Sequence, residues 1–488
     1  MNFPLLTLTT FIPLVGMVWV LLTNKDAEWR IKTISTVFSG IAFVLTVILV
    51  ASFDRGTAAL QFVERYDWIP QINVHYYMGV DGLSITMVFL TGLLSFLSII
   101  ASYGIKDRVK QYFALFLLLE TAMLGVFVAL DFFLFYVFWE AMLVPMYFLI
   151  GIWGGPRREY AAIKFFLYTL LGSVAMLLGI LALYFASDPH TFDMIELGKG
   201  MAFGFRFQVV VFLALFLGFA IKVPVFPFHT WLPDAHVEAP TAISVILAGV
   251  LLKMGTYGIL RISYPILPEA AKWFAVPLAV LAVINIIYGA LVAMAQTDLK
   301  KLVAYSSVSH MGYVLLGLAA MTPVGYNGAI LQMFNHGVIT GALFLLVGVL
   351  YDRAHTREIN AFGGLASKLP VYTGVMSLAI FASLGLPGLA GFISEFMVFV
   401  GSYPVFKTAV ILAVVGVVLT AGYLLWTLQR MFLGTANEKW AGLTDMTLRE
   451  HVTLVPLAVV MVVVGLYPKP VIDLMNFTLT AMSKAITG

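Results

Sequence analysis

The 488-residue chain has no cysteine. Disulfides, thiolate zinc sites and iron–sulfur ligation are therefore outside its own chemistry. Charge is also scarce. Asp, Glu, Lys and Arg make up 11% of the residues, against about 25% in an ordinary soluble domain. Hydrophobic residues reach 61%. A soluble fold of this size could not cover its surface with so few charges, so the apolar excess must face lipid. This excludes soluble enzymes, disordered scaffolds and nucleic-acid binders as readings of the whole chain. The net charge of +3 points to no polyanionic partner. Nucleotide and metalloprotease signatures are missing too: no GxxxxGK(S/T), no GxGxxG after a strand and no HExxH. The longest loops, near 54–78 and 187–207, are too short for a catalytic domain. Any activity belongs to the membrane region. No positive run precedes the first apolar stretch, which reads as a retained anchor.

What is present is a series of long apolar runs. A helical span needs about 20 such residues. Fourteen runs qualify, near 3–23, 31–53, 79–103, 111–130, 133–153, 163–186, 208–232, 241–261, 273–295, 303–321, 326–351, 370–403, 406–432 and 451–467. They are long and continuous, unlike the short alternating strands of a membrane barrel. The predicted fold is an all-α polytopic membrane protein. Two spans carry breakers: Pro224 and Pro227 in one, Gly385, Pro387, Gly388 and Gly391 in the other. Proline removes a backbone donor and clashes with the preceding turn, so both helices should be interrupted inside the membrane. The breaks lie five spans apart. That placement predicts a three-helix segment over 1–110, two five-span repeats over 111–261 and 262–432, and a C-terminal helix and tail over 433–488.

Of the 28 basic residues, Lys222 and Lys253 fall inside spans; 17 of the other 26 collect on one side and nine on the opposite one. The positive-inside rule puts the first side in the cytoplasm of a bacterial inner membrane, and an even span count puts both termini on the periplasmic side.

Ionisable groups inside a bilayer cost roughly 2.5–3.5 kcal/mol each on insertion scales and need a partner, a water-filled cavity or a function. The candidates are Glu120, Glu140, Lys222, Lys253 and Glu395, joined by His310 and His336, which titrate near neutral pH. Buried charges also serve as structural ion pairs or snorkel to the interface. Glu120 has no motif around it and fits either reading. His310, placed near a span end, reads first as a satisfied polar residue. Lys222, two residues before Pro224, and Glu395, eight after Pro387, sit beside broken helices, where transporters build their sites. The stretch holding His229, Asp234, His236 and Glu238 has metal-binding residue types, but its spacing fits no standard site.

Three blocks resemble a known family. KVPVFPFHTWLPDAHVEAPTAISVILAGVLLKMGTYGILR (222–261), FYVFWEAMLVPMYFLIGIWGG (135–155) and GLPGLAGFISEFMVF (385–399) are similar to signatures of the antiporter-like subunits of respiratory complex I. That family includes Mrp cation/proton antiporter subunits and membrane subunits of energy-converting hydrogenases. Glu395 and the short C-terminal tail resemble the M-type branch, the counterpart of mitochondrial subunit 4. The L- and N-type sisters carry Lys at that position.

The resemblance implies a proton-translocating, non-redox subunit of an NADH:quinone oxidoreductase, with fourteen helices in two inverted repeats. It implies that Glu140 pairs with Lys222, that Lys253 is the central relay, that His336 lies between Lys253 and Glu395, and that Glu395 is the exit-side group. It implies no cofactor in this chain. NADH, flavin, iron–sulfur clusters and quinone would belong to partner subunits, and L- and N-type subunits would be its neighbours in the bilayer. The rival readings are a sodium/proton antiporter subunit, a hydrogenase membrane arm, a stand-alone solute transporter and a structural scaffold. Few polar side chains lie outside the Lys/Glu/His line, which disfavours a bulky solute.

Overall fold

A computed structural model describes residues 4–201 and 203–487. Residue 3, the expected start of the first span, lies outside them. Thirteen helices among the described residues are long and apolar enough to cross a bilayer. They begin with α1 Leu5–Leu22, α2 Glu28–Ala51, α3 Gly82–Ala101 and α4 Val109–Val128. The next crossing is interrupted, α5 Phe132–Ala141 and α6 Leu143–Trp153. Then come α7 Arg158–Ala186 and α8 Phe205–Lys222, prolonged after a gap by α9 Trp231–Glu238. After these run α10 Thr241–Ile266, α11 Pro268–Met294, α12 Leu299–Ala320 and α13 Pro323–Ala354. A fourteenth crossing consists of two short helices, α14 Pro370–Ser383 and α15 Ala390–Ser402. It is followed by α16 Lys407–Phe432, α17 Leu448–Leu466 and the non-spanning α18 Lys469–Thr487. The fourteen expected spans are all present.

From α4 to α10 there are five crossings, and from α11 to α16 five more, with the fourth of each set broken. An odd number of crossings reverses direction, so the second set is inserted upside down relative to the first.

Each break leaves backbone groups that lipid cannot satisfy, and side chains from other helices take them. At the first break, Asn285 of α11 accepts from Phe226 N at 2.8 Å and donates to Pro224 O at 3.1 Å. Trp231 Nε1 donates to Ile221 O at 2.9 Å, replacing the helical donor lost there. At the second, Asn335 of α13 donates to Ala390 O at 2.7 Å. Gly385 has φ +81°, and a Cβ there would lie 3.1 Å from Glu395 Oε2. Glycine at 385 therefore serves both the turn and the carboxylate. A third interruption was not foreseen. Pro145 has no N–H to give the Ala141 carbonyl, and the helix breaks at Met142, two residues after Glu140.

The span 241–261 was set too short. Helix α10 continues to Ile266 and is 100% buried over its most apolar window. Arg261 therefore lies inside a span, not in a loop as the basic count assumed. It is only 7% exposed and is paired with Asp81, the N-cap of α3. Breaking one side of a buried ion pair costs about 3–5 kcal/mol. Arg261→Leu is expected to lower the temperature at which the assembled protein loses its fold by several degrees. Adding Asp81→Leu should recover part of the loss, because the orphaned charge is gone. Thermal scans of the purified protein would reveal whether it does.

The loop expected at 54–78 contains a hairpin, β1 Gln61–Ile69 paired antiparallel with β2 Val74–Val80. Its Glu64 accepts from Leu6 N at 2.8 Å and from Thr7. This caps α1, whose own N-cap, Pro4, offers no side-chain acceptor. On the same face, opposite the Lys/Arg-rich loops, lies α18. Its Thr478 Oγ1 accepts from Gly82 N at 3.0 Å, Asn476 accepts from Asn327 at 3.1 Å, and Ser483 donates to Met321 O at 2.6 Å. The tail is thus a second helix, laid across the ends of α3 and α13.

Candidate functional site

Lys253 sits in α10, where the backbone departs from α-geometry. A π-helical stretch, Leu247–Leu251, precedes it and another, Ile259–Ser263, follows. Such widened turns free carbonyls and occur often at functional sites. Here the Lys253 ammonium donates to Ala248 O, inside the first stretch. Its other contact is His336 Nδ1 of α13, at 2.6 Å. Lys253 is fully buried and His336 is 3% exposed.

From His336 the polar line continues. The rings of His336 and His310 are 5.6 Å apart, centre to centre. His310 lies mid-helix in α12, not near a span end as expected. Its Nδ1 faces Glu395 Oε1 at 3.2 Å, and its Nε2 faces Ser383 Oγ at 3.2 Å. Gln332 donates to the same carboxylate oxygen at 3.4 Å. His336 Nε2 has no hydrogen-bond partner among the described residues. His310, Gln332, His336, Ser383 and Glu395 line a small cavity with about 10 Å³ open to the centre of a water-sized sphere. That is room for about one water molecule with several polar neighbours. The structure therefore places His336 against Lys253, and adds His310 between His336 and Glu395.

The other two candidates form a separate group. Lys222 is the last residue of α8, where the end of a half-helix favours a cation; Glu395 lies near the middle of α15. Lys222 is 1% exposed. Glu140, on α5, is its electrostatic neighbour, but their polar atoms do not meet. Lys222 Nζ and Glu140 Oε1 are both buried without a hydrogen-bond partner among the described residues. The ammonium lies instead over aromatic rings, 5.3 Å from the centre of Trp139 and 5.7 Å from that of Phe165. Helix α8 reaches α10 through glycines: a Cβ at Gly255 would lie 2.5 Å from Phe219 O. No direct polar contact joins Lys222 to Lys253 among the described residues.

Glu140 is half-buried, and Val137 on its helix and Val144 just past the break are 40% and 50% exposed. The residue thus lies near the outer wall of the subunit, with Oε1 itself buried. Glu120 stands apart from both groups. It accepts from Ser39 of α2 at 2.9 Å, inside the N-terminal helices.

Lys300 is not a candidate in the sequence, and His236 is one only within the stretch weighed for metal binding. A cavity of about 750 Å³ opens on the Lys/Arg-rich face, lined in part by Glu238, Lys300, Asp352, His355 and Arg357. Lys300 is 5% exposed and donates to Ala239 O at 2.6 Å. It was counted as a loop charge. His236 is fully buried, stacked on Phe344 at 4.5 Å, with neither ring nitrogen bonded among the described residues. It is within electrostatic reach of Lys300 on one side and Lys253 on the other. The only signal in the sequence was the His/Asp/Glu stretch itself. Its carboxylates are engaged by basic residues: Asp234 by Lys164 at 2.7 Å, and Glu238 by the backbone N of Arg157 at 3.0 Å. His229 faces the Tyr288 hydroxyl at 3.2 Å.

Comparison with known proteins gives consistent matches. The family model described as NADH:quinone oxidoreductase/Mrp antiporter, transmembrane, matches residues 129–420. NADH-quinone oxidoreductase subunit M of Rickettsia bellii is 43% identical over 486 residues, covering 98% of each chain. A chain of respiratory complex I from Thermus thermophilus with bound NADH superposes with a TM-score of 0.91 at 31% identity. That match covers 99% of this chain and 100% of the other. A chain of the Mrp complex from Dietzia sp. superposes with a TM-score of 0.87 at 21% identity, over 99% of this chain and 100% of the other, a likeness of fold.

Proposed function

The chain belongs to the NADH:quinone oxidoreductase/Mrp antiporter transmembrane family, in its subunit M branch, and on that premise we propose that it moves protons along a Lys/His/Glu line driven by electron transfer in other subunits. The observation that carries the reading is the line from Lys253 through His336 and His310 to Glu395, with the buried cavity beside its two histidines. Neutral histidine accepts a proton at one ring nitrogen and releases another from its second. His336 can take a proton from Lys253 at Nδ1 and pass one from Nε2, through a water in the cavity, to His310. His310 then hands a proton to Glu395, which releases it toward the face opposite the Lys/Arg-rich loops. In this reading that face is periplasmic, and protons enter from the cytoplasmic cavity over Lys300 and His236.

Glu140 and Lys222 act as trigger and relay: when Glu140 withdraws, Lys222 gives its proton through water to a Lys253 amine that has discharged to His336. A carboxylate near an ammonium holds its charge in place; withdrawal or neutralisation of the carboxylate removes that support. Glu140 lies where a neighbouring antiporter-like subunit of the L or N type would touch this one, so a charge change there reaches Lys222 electrostatically through a low-dielectric medium. NADH, flavin, iron–sulfur clusters and quinone belong to partner subunits in this scheme. The sodium/proton antiporter reading has weaker support, since the Mrp likeness is in fold.

The exit role is tested at Glu395. Glu395→Gln keeps the shape and removes the titratable group, and is expected to cut pumping by electron-driven vesicles about a hundredfold or more, the usual range for a proton-transfer group. Glu395→Lys should retain part of the activity, because a titratable group remains. Normal pumping by Glu395→Gln removes Glu395 from the path.

A further inference from the structure

The Lys222 ammonium raises a question that the relay leaves open. It is buried, Glu140 is withdrawn from it, and it has no hydrogen-bond acceptor among the described residues. Such a charge needs a compensating group nearby. Two ring faces are present, Trp139 at 5.3 Å and Phe165 at 5.7 Å, both within the range of about 6 Å over which a cation is held by a ring's quadrupole.

Both rings are fixed. Trp139 Nε1 donates to Ser173 Oγ of α7 at 3.1 Å, and its ring meets Phe219 edge-on at 5.8 Å. Phe165 packs on Trp231 at 5.4 Å, and Trp231 is bonded to the first break through Ile221 O. The cage is therefore built from α5, α7 and the broken helix together. Trp139 and Glu140 are consecutive on α5 and point about 100° apart around it, so a swing of the flexible Lys222 side chain, with the rings held in place, exchanges one neighbour for the other.

We propose that the faces of Trp139 and Phe165 form a second seat for the Lys222 ammonium, occupied when it is withdrawn from Glu140. The inference rests on the relay reading of Lys222 and deepens it. Trp139 is a positioning residue. The rings exchange no proton, so Lys222 keeps all three N–H bonds while seated. When it discharges, one N–H bond of Lys222 breaks and, through bridging water, one forms on the Lys253 amine left neutral by transfer to His336, and Lys222 becomes a neutral amine. The ring faces attract the cation and not the amine. The seat thus holds the loaded side chain and lets the empty one return toward Glu140. Separation from Glu140 and loss of the proton become two events instead of one.

The test keeps the shape and changes the ring's charge distribution. Tryptophans carrying one to four fluorines are placed at position 139 of the assembled complex by site-specific incorporation, and electron-driven proton pumping is measured in membrane vesicles. The expected result is a stepwise fall with each fluorine, reaching about fivefold for the most fluorinated ring. Trp139→Phe should pump within about twofold of the parent and Trp139→Leu about fivefold below it, on the same scale. A flat fluorine series overturns the proposal even where Trp139→Leu is impaired, since packing alone then explains the loss. Lys222→Ala separates the two layers. If that variant pumps normally, the relay reading of Lys222 fails and takes the seat with it. If it does not pump while the fluorine series is flat, only the seat fails.

Discussion

Glu140→Ala is expected to stop proton pumping in a complex that still assembles. The side chain lies near the outer wall and makes no hydrogen bond through Oε1 among the described residues, so truncating it removes little packing. What is lost is the charge facing Lys222. If that charge is needed at the rate-limiting transfer, its loss is expected to slow pumping by more than about a hundredfold, a barrier rise of about 3 kcal/mol. Lys222→Ala should give the same loss, and the double variant should be no worse than either single one, because both act on one step. Glu140→Asp keeps the charge one methylene further away and should retain a substantial part of the activity. Dye-quench pumping assays, paired with native gels for assembly, measure all four. Where coupling is tight, quinone reduction falls together with pumping. Full pumping by assembled Glu140→Ala would discard the trigger.

Lys253 carries the second large effect, and here arginine is the informative substitution. The ammonium is fully buried and donates to His336 Nδ1 and Ala248 O. A structural cation would be served well by guanidinium, which makes more hydrogen bonds and stays charged. A relay would not, because guanidinium does not give up its proton at these pH values. Lys253→Arg is therefore expected to pump as poorly as Lys253→Met, both below about a hundredth of the parent if every proton crosses this group. Lys253→Met should not cost stability, since replacing a buried charge by an apolar chain of similar length is often neutral or favourable. A scaffold role predicts the reverse pattern: Arg active, and Met either active or unstable. Pumping and thermal stability measured on the same two preparations separate these outcomes.

Much of this was legible from the sequence, because the bilayer is a simple solvent. Long apolar runs could be nothing but spans, and Pro224, Pro227, Gly385 and Gly388 marked breaks that α8/α9 and α14/α15 bear out. The isolated charges were conspicuous for the same reason. What escaped detection depended on which helices meet. His310 looked peripheral until α12, α13 and α15 were packed together around it. His236 was read as a poor metal ligand because its neighbours in sequence are carboxylates, yet in space its neighbours are Lys300, Lys253 and Phe344. Arg261 looked like a loop charge because its span was ended at that residue, whereas Asp81, 180 positions earlier, allows it to stay inside. The hairpin at 61–80 was hidden by bulges that spoil its alternation. Lys222 and Glu140 were expected in contact; the aromatic alternative beside them has no sequence signature, since Trp and Phe are ordinary in any span.

The helix α18 also has a meaning in time. Gly82 N, at the start of α3, finds its acceptor in Thr478, 396 residues later. At synthesis rates of about 5–20 residues per second, roughly 20–80 s separate the appearance of donor and acceptor. Throughout that interval the end of α3 stands open, and the α13 end at Asn327 stays open for part of it. Helix α18 is made after every spanning helix and is the one that closes both ends. The outer face is therefore latched only once all the spans have been synthesised.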